Sequence, residues 1–90
     1  MESHIRITAT MPEMRAFFKK ETGVRFMELR DTRYSSDEID RMPEAERDKT
    51  VFNWFVVLRH PETKRGLYGT FTISSITKKL EKLKAEQNEF

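Results

Sequence analysis

A chain of 90 residues, 37% hydrophobic and 36% charged, is long enough for one hydrophobic core and too short for two domains. Its seven Phe, two Tyr and one Trp supply enough apolar bulk to exclude general disorder. The absence of cysteine excludes a disulfide framework and a thiolate metal site, and it favours a reducing compartment. The net charge of +2 is too balanced to indicate a nucleic-acid partner by itself.

The sequence carries no segment that predicts export or membrane insertion. Its longest apolar run, residues 54–58, is far too short to span a bilayer. Residues 1–5 lack a basic region followed by an apolar one, which a signal peptide would need. We therefore expect a single domain over residues 1–90, located in the cytoplasm.

The N-terminal third of the chain predicts a strand, a helix and a second strand. Residues 4–9 alternate apolar and polar side chains, as a strand with one buried face does. A capping-box pattern at residues 10–13 precedes a helix over residues 11–22, and Gly23 suits the left-handed residue that ends it. Residues 24–30 alternate again, which predicts a strand with one side facing solvent.

The middle of the chain is charged and nearly devoid of bulky apolar residues from residue 35 to residue 49. Ser35 and Glu38 repeat the capping-box spacing, so this segment predicts a short, mostly exposed helix that is interrupted near Pro43.

The C-terminal part of the chain predicts a hairpin and a helix. Residues 51–59 are apolar on both faces, which is typical of a central strand. Residues 60–66 have turn chemistry and residues 67–73 alternate, so the two strands are expected to pair as a hairpin. A serine at position 74 or 75 can cap a final helix with one apolar stripe.

Together these elements predict an α+β fold, an antiparallel sheet of three to four strands packed by two main helices, in the order β-α-β-(short α)-β-β-α. The expected core consists of large apolar residues on the buried faces: Ile7, Phe17, Phe18, Phe26, Trp54, Val56, Leu58, Phe71, Ile73, Leu80 and Leu83. Phe52, Trp54 and Tyr68 are also candidates for stacking on unpaired bases, although core packing is the preferred role.

No motif of a catalytic or metal site occurs in the sequence. His4 and His60 belong to different predicted elements and lack ligand spacing, so we expect no metal and no other cofactor. The three glycines form no phosphate-binding loop. His60 lies beside a turn without a nucleophile motif and is expected to be an exposed turn residue. The protein is therefore not expected to be an enzyme.

The favoured hypothesis is a small protein-binding module, an inhibitor, adaptor or regulator. The charge is +2 over residues 1–30, −3 over residues 31–50 and +3 over residues 51–90. Segregated charge is suited to directing a docking orientation, so the expected partner is another protein, for example in a nucleic-acid-processing complex. The candidate docking residues are carboxylates of segment 35–48: Asp37, Glu38, Asp40, Glu44 and Glu46.

The alternative hypothesis is a nucleic-acid-binding module. Basic residues of the predicted hairpin turn and of the last helix can spread cations along a phosphate backbone. These residues are Arg59, His60, Lys64, Arg65, Lys78, Lys79 and Lys82. A minor alternative is a small endoribonuclease, for which the residues of suitable type are Arg59, His60, Lys64 and Tyr68.

From residue 11 onward, the predicted order of helix, three antiparallel strands and helix is similar to that of double-stranded RNA-binding domains. Ser75-x-x-Lys78-Lys79 resembles the lysine pair that those domains place at the start of their last helix, and the resemblance covers residues 11–88. It implies phosphate contacts from both lysines. The chain departs from that family in its long acidic loop, its extra N-terminal strand and the absence of alanine-rich packing in the last helix.

Overall fold

The computed structural model describes residues 2–60 and 66–87. The elements in chain order are β1 (Glu2–Ala9), α1 (Met11–Lys20), β2 (Val24–Leu29), α2 (Ser36–Arg41), α3 (Glu44–Arg47), β3 (Phe52–Arg59), β4 (Thr70–Thr72) and α4 (Ile73–Gln87). The α+β class and the element order agree with the expectation, and the charged segment is divided into two short helices.

Local hydrogen bonds account for the start of α1. Thr10 Oγ1 accepts from the backbone N–H of Glu13 at 3.3 Å, and the Glu13 carboxylate accepts from the N–H of Thr10 at 3.2 Å. This is the expected capping box, which provides partners for backbone donors that the helix itself leaves unpaired.

Gly23 does not end α1 in a left-handed conformation, because only Gly69 has a positive φ among the described residues. A different constraint applies at Gly23. A Cβ atom there would overlap the carbonyl oxygen of Arg59. The Arg59 N–H also donates to the Gly23 carbonyl oxygen at 2.8 Å, so glycine allows the turn before β2 to approach β3 closely.

The four strands form one mixed sheet in the spatial order β2-β3-β1-β4. β1 pairs antiparallel with β3 along its whole length, from Glu2 opposite Arg59 to Ala9 opposite Phe52. β2 pairs antiparallel with the other edge of β3. β4 pairs with the outer edge of β1 and runs parallel to it.

The expected hairpin between β3 and β4 is wrong, because β1 lies between these two strands and pairs with both. Alternation predicts a strand but does not identify the strand that it pairs with. β1 has two edges, and it pairs with β3 along one and with β4 along the other. β4 is also shorter than expected, since Thr72 already caps α4 by accepting from the N–H of Ser75 at 3.1 Å. The similarity to double-stranded RNA-binding domains fails with the hairpin, because the strands after α1 are not three consecutive antiparallel neighbours.

One face of the sheet packs against the two long helices and forms the core. Alternate residues of β1 and β3 supply one side of the core, and the apolar stripes of α1 and α4 supply the other. The buried apolar residues are Ile5, Ile7, Ala9, Met14, Phe17, Val24, Phe52, Trp54, Val56, Leu58, Leu67, Ile76, Leu80 and Leu83. Burial of Phe52 and Trp54 confirms their preferred role in the core.

Two residues expected in the core are on the surface. Phe18 is 53% exposed and Phe26 is 47% exposed. Phe17 takes the inward position of α1, and its neighbour Phe18 therefore lies about 100° around the helix, away from the sheet. Phe26 lies on the other face of the sheet from the helices. Phe71 and Ile73 are half-buried and pack against the core from its edge.

Candidate functional site

The face of the sheet that points away from the core carries side chains that are exposed or half-buried at every position. The strand register places these side chains on one side. We call this surface the open face. Its strand residues are Glu2, His4, Arg6, Thr8, Phe26, Glu28, Asn53, Phe55, Val57, Arg59, Thr70 and Thr72.

Phe55 is the centre of an aromatic cluster on the open face, formed with His4 and Phe26. Both neighbouring rings meet Phe55 edge-on, with centroid distances of 5.7 Å for His4 and 6.2 Å for Phe26. The guanidinium of Arg30 lies over the Phe55 ring, with Cζ 4.3 Å from its centroid, a cation–π contact. Glu28 Oε2 accepts from Arg30 Nε at 2.7 Å and holds the guanidinium there.

A depression of about 710 Å³ adjoins the aromatic cluster. Its lining includes the side chains of His4, Arg6, Arg30, Asn53, Phe55 and Thr70. The backbone N–H of Arg6 donates to the carbonyl oxygen of Gly69 at 3.0 Å, which joins β1 to the segment before β4. The Arg6 side chain forms no ion pair with any residue that the structure describes, so its charge is available to a ligand.

Asp31 fixes the rim of the depression where β2 ends. Its side chain is 0% exposed and pairs with Arg33 at 2.7 Å. It also accepts from the backbone N–H groups of Arg33 at 2.9 Å and Asn53 at 3.0 Å. These hydrogen bonds, led by the one from the Arg33 side chain, hold the pKa of Asp31 well below its usual range despite burial, which opposes ionisation. Asp31 is therefore ionised at neutral pH, and its carboxylate holds the backbone of Asn53 in position.

His60 is buried, and the expectation of an exposed turn residue is wrong. Its Nε2 lies 2.7 Å from Ser3 Oγ, and the same oxygen accepts from the backbone N–H of Leu67 at 2.9 Å. The polar atoms of Ser3 and His60 therefore have partners inside the protein, which is why this histidine can leave the surface. Burial removes His60 from any phosphate-facing surface.

The expected basic surface is divided between the two sides of the protein. Arg59 lies on the open face at the end of β3, opposite Glu2. The exposed lysines of α4 are Lys78, Lys79 and Lys82, and the apolar side of this helix packs on the core face of the sheet. Lys64 and Arg65 lie outside the described residues. Tyr68 is exposed and precedes the Gly69 that borders the depression.

The acidic segment 35–48 is held against the protein by its apolar side. Ile39 and Met42 pack against the core, and Arg15 of α1 pairs with Asp48 at 3.5 Å. The five candidate carboxylates are all exposed: Asp37, Glu38, Asp40, Glu44 and Glu46. The segment therefore presents its charge outward from two short helices.

The candidate site contains four residues that the sequence patterns do not assign to a site, Arg6, Phe26, Arg30 and Phe55, although part of the signal is present. The polar alternate positions of β1 indicate a solvent-facing side, and any strand paired with β1 must share that side. Because Phe55 and Val57 are apolar, the pattern of residues 51–59 predicts burial on both faces. Only the register, which places Phe55 opposite Arg6, shows that they belong to the open face.

No group of three or more His, Asp or Glu side chains that could hold a metal ion occurs within residues 2–60 and 66–87. None of the helices in these ranges is long and apolar enough to cross a membrane. Comparison with protein-family models, with curated proteins and with solved structures gives no significant match to the chain.

Proposed function

We propose that the protein is a small, non-enzymatic nucleic-acid-binding module whose contact surface is the open face. The observation that carries this proposal is the convergence of two arginines, an asparagine amide and aromatic rings on one depression. Guanidinium groups bind phosphates, amides bind base edges and aromatic rings bind base faces. This combination of side chains therefore suits a nucleic acid.

The charge of the open face also favours an anionic ligand. Its cations are Arg6, Arg30 and Arg59, whereas its carboxylates are Glu2 and Glu28. The carboxylate of Asp31, which borders the depression, is fully buried and paired. The open face therefore carries a net charge of +1, and its Arg6 forms no ion pair within the described residues, so this cation can attract a phosphate and release its counterions.

Arg6→Ala is expected to weaken binding of fluorescently labelled RNA and DNA oligonucleotides of mixed sequence. Loss of one phosphate contact should reduce the slope of log affinity against log salt concentration by about 0.7 for a single strand. Fluorescence polarisation over a salt series, on single strands and duplexes, measures both quantities.

The matched control is the double variant Lys78→Ala/Lys79→Ala, which removes exposed cations from α4 on the other side of the sheet. Its affinity and salt slope should stay close to those of the wild type. Weaker binding by the lysine variant with unchanged binding by Arg6→Ala would move the site to α4. Absence of binding to every oligonucleotide at low salt would contradict the proposed function.

Docking of a basic protein surface on segment 35–48 is a second candidate function. Its support is the outward presentation of five carboxylates from segment 35–48, whose Ile39 and Met42 pack on the core. Oppositely charged surfaces steer association and fix the orientation of the partners, while adding little to the stability of either protein.

Reversal of Asp37, Glu38 and Asp40 to lysine is expected to change the free energy of unfolding by less than about 1 kcal/mol. Association with a basic partner, recovered by pull-down after nuclease treatment, should become severalfold slower at low salt. Glu81→Lys, which reverses an exposed carboxylate on α4, is the control and should leave the rate unchanged. Wild-type association kinetics of the triple variant at low salt would exclude steering by this segment.

A further inference from the structure

We infer that the open face binds unpaired bases, so that its ligand is single-stranded RNA or DNA, with one base received on the guanidinium of Arg30. This inference rests on the nucleic-acid binding proposed above and adds which form of nucleic acid is bound and by which group.

Arg30 and Phe55 are already in cation–π contact in the free protein. The guanidinium of Arg30 lies over the Phe55 ring, with its Cζ 4.3 Å from the ring centroid. The Arg30 side chain is nevertheless 59% exposed, so the side of the guanidinium away from Phe55 is open to solvent. A planar guanidinium stacks on a base as well as on an aromatic ring, and a base on that outer side would extend the stack.

The charge of Arg30 is compensated within the protein by Glu28. Its Nε donates to Glu28 Oε2 at 2.7 Å, which compensates the positive charge and fixes the guanidinium from a second direction. A phosphate at Arg30 would have to compete with this carboxylate. Arg30 is therefore better suited to stack on a ligand with its planar guanidinium than to pair with a phosphate. Stacking requires that the face of a base is accessible.

The proposed phosphate contact, Arg6, lies beside the aromatic cluster. Arg6 lies directly opposite Phe55 on the neighbouring strand and has no ion pair among the described residues. Side chains opposite each other in an antiparallel pair have Cβ atoms about 5 Å apart. A free cation and a stacking platform are thus adjacent, as one nucleotide with its phosphate and its base requires.

Two further features of the site suit an unpaired base. The Asn53 amide and the Thr70 hydroxyl line the same depression and can pair with the edge of a base. Phe26, 47% exposed and edge-on to Phe55, continues the apolar surface beyond the first platform. In a duplex, base faces are stacked and Watson–Crick edges are paired, so the apolar surface would find no free base face and the polar groups could reach only the groove edges.

The experiment compares four labelled probes of equal length. Three share one sequence, as single-stranded RNA, single-stranded DNA and duplex RNA, and the fourth is a single strand without bases. The wild type should bind both single strands at least about tenfold more tightly than the duplex or the abasic strand, because neither of these offers the face of an unpaired base to the protein. A 2-aminopurine base in the single strands should be quenched on binding, which reports stacking directly.

Arg30→Lys keeps the charge and removes the plane. It should weaken binding of both single strands about fivefold or more and abolish the 2-aminopurine quenching, with the salt slope and the abasic probe unaffected. Phe55→Leu, which removes the ring under the guanidinium, should have the same effect. Arg25→Lys makes the same exchange at an exposed arginine of β2 and should behave as the wild type. Thermal unfolding verifies that each variant is folded.

The outcomes separate the inference from the proposed function. Equal affinity of the wild type for single strand, duplex and abasic strand overturns the inference, while nucleic-acid binding stands. Wild-type affinity and quenching in Arg30→Lys also overturn it, because Arg30 is then not the platform. An equal loss of binding to the abasic probe in Arg30→Lys overturns it as well, because Arg30 is then a phosphate contact. Absence of binding to all four probes overturns the proposed function itself.

Discussion

Replacement of Trp54 by alanine is expected to lower the free energy of unfolding by about 3–5 kcal/mol. The indole is buried within β3, and its Nε1–H donates to the carbonyl oxygen of Ala9 at 2.9 Å, which joins the side chain to the end of β1. The variant opens a cavity in the core and removes this buried hydrogen bond. Trp54 is the single tryptophan of the chain, so the variant has no tryptophan fluorescence with which to follow unfolding. Urea unfolding followed by circular dichroism is therefore the suitable measurement.

A second substitution at Trp54 separates the apolar volume of the indole from its hydrogen bond, and a substitution at Phe18 is the control. Trp54→Phe retains much of the apolar volume but loses the donor, so it should lower the free energy of unfolding by about 1–3 kcal/mol. Phe18→Ala removes an aromatic ring that is already half in solvent and should change stability by less than about 1 kcal/mol. A loss below about 1 kcal/mol for Trp54→Ala would place the indole on the surface and return it to the candidates for base stacking.

Replacement of Asp31 by alanine is expected to lower the free energy of unfolding by about 2 kcal/mol at neutral pH. Hydrogen bonds to a charged group contribute about 1.5–3 kcal/mol, and the lower part of this range applies because the freed Arg33 can be hydrated again. The Asn53 N–H would lose its acceptor, and the Arg33 side chain would lose its bonds to Asp31 while keeping the one to the Val51 carbonyl oxygen. Urea unfolding at neutral pH measures the loss.

The same substitution should flatten the acid side of the stability curve. The pKa of Asp31 is lower in the folded protein than its ordinary value of 3.8. Its carboxylate therefore contributes its full stabilisation above that value, and the contribution is lost as the pH falls below 3.8 towards the folded-state pKa. Unfolding midpoints from neutral pH down to strong acid should converge between the wild type and Asp31→Ala. Curves that stay parallel would show that protonation of Asp31 does not affect the stability of the fold. The control is Asp37→Ala, which removes an exposed carboxylate.

The candidate site was only partly predictable from the sequence. The solvent-facing side of β1, with Arg6 and His4, follows from alternation alone. The aromatic half of the site does not follow from alternation, because Phe26 and Phe55 are apolar residues of the type usually found in the core. An apolar ring belongs to the core only if a helix covers its face of the sheet, and covering is decided by elements distant in the chain.

The sequence by itself determined the helices, the strands and their order, because these depend on interactions among residues a few positions apart. The capping box at Thr10, the alternation of β1 and the division of the charged segment are of this kind. Only the tertiary structure decided that β4 lies beside β1, that His60 is buried against Ser3 and that Phe55 meets Arg6 on an uncovered face. Each of these contacts joins residues about fifty or more positions apart, and the choice among such partners depends on how the whole core packs, which no local pattern encodes.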